Sequence, residues 1–159
     1  MPDLRPDLRK AFFDNMSEIA ENDKSVILLV GDLGFSFVEE YAEKYPKQFI
    51  NTGCIEQSLI GIAAGLAKGG KKPYVYSGSI FLIARAYEQI RDDIAFNNTN
   101  VKLCGTGASQ FLGFSHNWIG NENEEDLLKN LPNIKRFYPQ SEIELKQALM
   151  NEGCAYIRL

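Results

Sequence analysis

Residues 49–67, FINTGCIEQSLIGIAAGLA, decide the fold. Phe49, Ile50 and Asn51 read as a short strand, Gly53 turns the chain, and from Glu56 an apolar segment of helical length begins. A strand that turns through glycine into an apolar helix is half of a βα unit. The residues around it repeat the pattern. Upstream, residues 25–30, SVILLV, form a short β-branched run stopped by Gly31 and Asp32. Such a run reads as a strand buried on both faces, the kind found in parallel sheets. Leu8, Phe12, Met16 and Ile19 recur at helical spacing, which predicts an amphipathic helix over about residues 6–21. Residues 37–45 read as a helix.

Downstream the alternation continues. Residues 73–76 predict a strand, 81–96 a long helix and 101–104 a strand. A helix over 124–131, a strand over 134–138, a helix over 142–150 and a strand over 155–158 complete the series. Strand and helix alternate along the whole length. The expected fold class is α/β: a three-layer, doubly wound, mostly parallel sheet with helices on both faces. Ligands of such folds bind beyond the carboxyl ends of the strands. That rule selects residues 31–36, 52–57, 77–81 and 105–116 as the candidate site.

Composition narrows the function. With 159 residues and 45% hydrophobic content, one domain with an ordinary core is expected. A formal net charge of -4 gives no basic face for nucleic acid. No apolar run is long enough to span a bilayer, and the opening MPDLRPDLRK lacks the apolar stretch of a secretory signal. Cys54, Cys104 and Cys154 are odd in number, widely spaced and without a CxxC pair. They read as free thiols, and a reducing, cytoplasmic location is expected.

Glu56 is a carboxylate at the start of a helix whose other residues are mostly apolar. It either complements the positive end of the helix dipole or serves a ligand. Phe81 and Tyr87 fall near or along one helix, where core packing is the ordinary role of an aromatic residue. Arg85, Glu88, Arg91 and Asp92 would ordinarily make a solvated, ion-paired face. His116, the sole histidine, is expected in a long loop after a strand. The GTGA of residues 105–108 is not a dinucleotide fingerprint, and nothing in the chain has metal-ligand spacing.

In order along the chain, these segments resemble the pyrimidine-binding (Pyr) domain of the transketolase family. The carrying motifs are Asp32-Leu33-Gly34; the run from Asn51 to Gln57 followed by IGIAAGLA; Phe81 through Arg91 with its RAYEQIR; and Gly113-Phe114-Ser115-His116. Leu131-Pro132-Asn133 and the closing Ala155-Tyr156-Ile157-Arg158-Leu159 also match. The resemblance implies thiamine diphosphate as cofactor. It implies that Glu56 hydrogen-bonds a ring nitrogen of the aminopyrimidine, making the cofactor's own amino group a better base. Phe81 would stack on the pyrimidine, and Asp32, Leu33, Ile55 and Tyr87 would complete the cofactor-binding set. His116 would hydrogen-bond a substrate or intermediate oxygen, and Arg91 would brace its helix.

The departures are specific. Phe114-Ser115 stands where the family commonly has Pro-Thr, Asn117 stands where a second histidine is often seen, and the loop between Gly107 and Gly113 is short. No GDG motif of a diphosphate-binding domain is present in these residues, and the usual C-terminal domain has no counterpart. The expectation is therefore a single Pyr domain over residues 1–159, either a split-enzyme subunit or an excised domain. It would work with a diphosphate-binding partner that carries magnesium, on a small-molecule substrate such as a sugar phosphate or other ketose. The expected reaction is two-carbon ketol transfer. The alternatives are the small subunit of a two-chain oxo-acid decarboxylase and a catalytically silent Pyr scaffold. The apolar helix from Glu56 onward predicts a two-fold homodimer with that helix at the interface.

Overall fold

The computed structural model describes residues 6–107 and 124–159. Helix α1 (Arg9–Asn22) leads into strand β1 (Val26–Val30), helix α2 (Val38–Lys44), a 3₁₀ turn (Pro46–Gln48) and strand β2 (Phe49–Asn51). Helix α3 (Glu56–Lys68) and strand β3 (Lys72–Gly78) follow. After a helical stretch come β4 (Lys102–Thr106), α5 (Glu124–Leu128), β5 (Lys135–Phe137), α6 (Glu142–Leu149) and β6 (Ala155–Arg158). The six strands pair in the order β2-β1-β3-β4-β6-β5, and each pairing is parallel. The expected α/β three-layer sheet is what forms.

The two-residue side-chain period of the strands divides the core. Val26, Leu28 and Val30 of β1, with Tyr74 and Tyr76 of β3, face one side, where they pack against Phe12, Met16, Tyr41 and Leu145. Ile27 and Leu29, with Val75 and Leu103, face the other side, against Leu59, Ile60, Ile83 and Ile90. The apolar runs in the sequence are continuous because both faces of the sheet are covered. On α3, Leu59 and Ile60 are fully buried, and each contributes about 1.5–3 kcal/mol of apolar burial.

One expected element is reorganised. The single long helix predicted over residues 81–96 is a π-helical stretch, Ile80–Arg85, then a short α segment, α4 (Tyr87–Gln89), and a second π-helical stretch, Ile90–Phe96. The hydrophobic period cannot separate the two helix types over so short a run, since both keep one side against the sheet. Leu82, Ile83, Ala86, Ile90 and Ile94 are buried throughout it. Among the described residues, no helix is long and apolar enough to cross a membrane. All three cysteines are free: Cys54 is exposed, and Cys104 and Cys154 are buried.

Candidate functional site

The chain leaves β1 to make β2 on one side and returns through α3 to make β3 on the other. The crevice between the carboxyl ends of β1 and β3 is therefore a topological switch point, the ordinary ligand position of such sheets. At the end of β1, the Gly31 amide donates to the Tyr76 carbonyl (3.2 Å). A Cβ at Gly31 would lie 3.1 Å from Ser77 Oγ, so glycine lets the two strand ends close together. At the end of β2, Gly53 adopts φ +75°. Asn51 ties this turn to the neighbouring one: its Oδ1 accepts from the Gly53 amide (2.9 Å) and its Nδ2 donates to Asp32 Oδ1 (3.0 Å).

This turn delivers Glu56 to the first residue of α3. Glu56 is only 2% exposed. Arg85 Nη1 donates to its Oε2 at 2.7 Å, and Ser77 Oγ to its Oε1 at 3.5 Å. A helix-dipole role alone does not account for this placement, because a carboxylate serving the dipole can remain in water. Burying it alone would cost several kcal/mol, and the Arg85 guanidinium offsets that by neutralising it. Arg85 is itself 43% exposed, with its guanidinium carbon 4.5 Å from the centroid of the Phe81 ring. Glu56, Ser77, Phe81 and Arg85 thus form one constellation: a buried carboxylate, a hydroxyl, an aromatic face and a planar cation.

Arg85 corrects the expectation of a solvated face. It turns inward to Glu56, and of that group Arg91 and Asp92 make the exposed pair (2.8 Å). Helical spacing puts Phe81 and Arg85 on the same side, and the π-helical backbone between them sets their orientation.

The other expected site residues fall as follows. Asp32 is exposed at φ +55°, at the end of β1. Leu33 is half-buried against the first core, and Tyr87 is half-buried against the second. Ile55 is exposed, immediately before Glu56. His116 and the loop around it lie outside the described residues.

A second polar cluster sits one strand further along. Arg158, at the end of β6, pairs with Glu124 of α5 and donates to Ser79 Oγ. The Tyr156 hydroxyl donates to Ser79 Oγ (3.1 Å) and to Glu124 Oε1 (3.4 Å). Burial raises the Tyr156 pKa well above that of an ordinary phenol, so its proton stays available to donate. Gly105 of β4 makes room for the cluster, since a Cβ there would stand 2.5 Å from Ser79 Oγ and 2.7 Å from Tyr156 Oη. Ser77 and Ser79 join the two clusters through the exit of β3. Sequence reasoning gave neither serine a role and left Arg158 as part of a terminal motif. The available signals were two serines directly after an apolar strand and a charge inside an otherwise apolar one.

Comparison with known proteins adds an independent line. Residues 5–152 match the family described as transketolase, pyrimidine binding domain. An apulose-4-phosphate transketolase subunit from Phocaeicola vulgatus is 37% identical over 135 residues, covering 82% of this chain and 42% of that protein. The 6-deoxy-6-sulfo-D-fructose transketolase subunit SqwH of a Clostridium species (strain MSTE9) is 29% identical over 157 residues, covering 96% of this chain and 49% of that protein. Among solved structures, a split-gene transketolase described as an inactive beta4 tetramer superposes with a TM-score of 0.80 at 34% identity, covering 95% of this chain and 50% of that one. The chain thus spans about half the length or less of these relatives.

Proposed function

Because this chain belongs to the transketolase pyrimidine-binding domain family, we propose that it is the pyrimidine-holding part of a thiamine-diphosphate enzyme that transfers a two-carbon ketol unit. Residues 1–159 act as one Pyr domain, completed by a diphosphate-binding domain or subunit that carries magnesium. The observation that carries this reading is Glu56, a carboxylate held 2% exposed at the switch point, next to the residues that frame the Phe81 ring.

The donor set suits the cofactor's aminopyrimidine. A buried carboxylate accepts from, or shares a proton with, a ring nitrogen, and an aromatic face supports a flat heterocycle. Thiamine diphosphate, when bound, supplies the electron sink for the ketol carbon. Glu56 holds the proton at the pyrimidine edge, in surroundings dry enough to strengthen that hydrogen bond. Phe81 supports the ring. Asp32, Leu33, Ile55 and Tyr87 border the cofactor. His116 meets a substrate oxygen. The substrate class is a ketose or sugar phosphate.

The test is reconstitution. Purified chain with thiamine diphosphate, magnesium and a ketose phosphate should show no turnover, and adding a GDG-containing diphosphate-binding subunit should restore it. Turnover by the isolated chain would contradict the division of labour. Silence with every such subunit would leave the scaffold reading in its place.

A further inference from the structure

Arg85 touches both halves of the proposed pyrimidine corner at once. Its Nη1 donates to Glu56 Oε2 at 2.7 Å, and its guanidinium carbon stands 4.5 Å from the Phe81 centroid. A guanidinium is flat, carries N–H donors in its plane and stacks on aromatic faces. A protonated aminopyrimidine edge has the same three properties. Two such groups cannot occupy one carboxylate oxygen and one aromatic face together. From this geometry we propose that Arg85 is a resident stand-in for the cofactor's pyrimidine. It fills the corner when the cofactor is absent and must leave Glu56 before the pyrimidine can bind. This inference rests on the pyrimidine-holding role of Glu56 and adds to it a gate supplied by the same chain.

The physical reasons favour exchange over a permanent ion pair. Glu56 is buried and would be costly to leave uncompensated, so the empty site needs a cation. Arg85 is 43% exposed and can swing outward into water without its own desolvation penalty. The segment that carries it, Ile80–Arg85, is π-helical, and its neighbour α4 has only three residues. Arg85 can therefore change rotamer without unwinding a long regular helix. Ser77 Oγ stays beside Glu56 Oε1 and keeps the carboxylate oriented during the exchange. Binding of the pyrimidine is weakened by the fraction of time that Arg85 fills the corner. An occupancy of about 90% lowers the apparent affinity about tenfold.

The experiment uses the 159-residue chain and 4-amino-5-hydroxymethyl-2-methylpyrimidine as probe. Binding is read by calorimetry, and Arg85 is followed through its side-chain Nε–H resonance. The parent should show a protected Arg85 resonance that loses protection as the probe saturates. Arg85→Met should bind the probe about tenfold more tightly. Arg85→Lys retains the charge and guards against a folding defect, and it should also bind more tightly than the parent. Glu56→Gln should bind poorly and release Arg85. Equal affinity in parent, Arg85→Met and Arg85→Lys, with loss only in Glu56→Gln, would overturn the gate and leave the pyrimidine site standing. Failure of parent and both Arg85 variants alike to bind the probe would overturn the pyrimidine site and the gate together.

Discussion

Arg158 Nε stands 3.1 Å from Glu124 Oε1, an ion pair between the last strand and α5 in which the arginine side chain is 1% exposed and the glutamate 10%. Each charge is tolerated in the interior because of the other. Removing one partner of such a pair typically costs about 3–5 kcal/mol, since the other is left buried without compensation. Arg158→Met should therefore lower stability by that amount in urea titration. The double variant Arg158→Met/Glu124→Gln should be more stable than the sum of the two single losses. Additive losses would show that the two side chains act independently.

Glu56→Gln should keep the fold and lose function. The amide can still accept a hydrogen bond from Arg85, but it cannot share a proton with a pyrimidine nitrogen. With a complementing diphosphate-binding subunit, turnover should fall about 10²–10⁴-fold. Thermal unfolding of the variant, run beside the kinetics, separates lost chemistry from lost structure. Near-parental turnover would reduce Glu56 to a helix-start residue.

Helix α3 carries the expectation of self-association, and the structure says which face to test. Ala64 is buried in the chain's own core, so substituting it would report on folding. The outward residues are Gly61, Ile62 and Gly65, with Ile62 40% exposed. A Cβ at Gly65 would meet nothing within 4 Å, which leaves room for another backbone. The chain should be a two-fold dimer in light scattering at micromolar concentration. Ile62→Arg should weaken association about thirtyfold or more, the effect of losing a hot-spot residue. A dimer unchanged by the arginine would place the interface elsewhere.

Lys102 lies at the other end of the sheet. It is buried, with its ammonium donating to Asn100 Oδ1 (2.8 Å) and to the Gly153 carbonyl. Burial pulls its pKa below the ordinary 10.5. Between the folded value and 10.5 the unfolded chain binds more protons, so stability should rise with pH across that window. Lys102→Met should abolish the rise, and at pH 7 it should fall no more than about 1 kcal/mol below the parent, the scale of one net hydrogen bond. Denaturant midpoints from pH 7 to 10.5 measure both. A rise that persists in the variant would assign it to another group.

Much of this was legible in the chain before folding. Five-residue apolar runs such as VILLV can hide only in a sheet covered on both faces, and the turn at Gly53 announced where the next helix starts. Glu56 stood out because a charge was set among apolar neighbours. Its partner did not. Arg85 sits in a run of alternating charges that reads as a wet surface, and only the tertiary approach of the 80–85 segment to α3 turns it inward. The Arg158 cluster was hidden for the same reason. Ser79, Glu124, Tyr156 and Arg158 are far apart in sequence, and no local period links them.

The two π-helical stretches have a further consequence. A π turn holds one more residue than the α turn it replaces, so Ile80–Arg85 behaves like an α-helix with a single-residue insertion absorbed in place. Deleting one residue between Phe81 and Arg85, such as Ala84, would relax the stretch toward α geometry. That would rotate everything before the deletion by about 100° relative to everything after it. Phe81 would then no longer share a side with Arg85. The ring and the guanidinium are held in phase by the length of the peptide between them, so this short segment should tolerate exchanges of side chain far better than any change in its residue count.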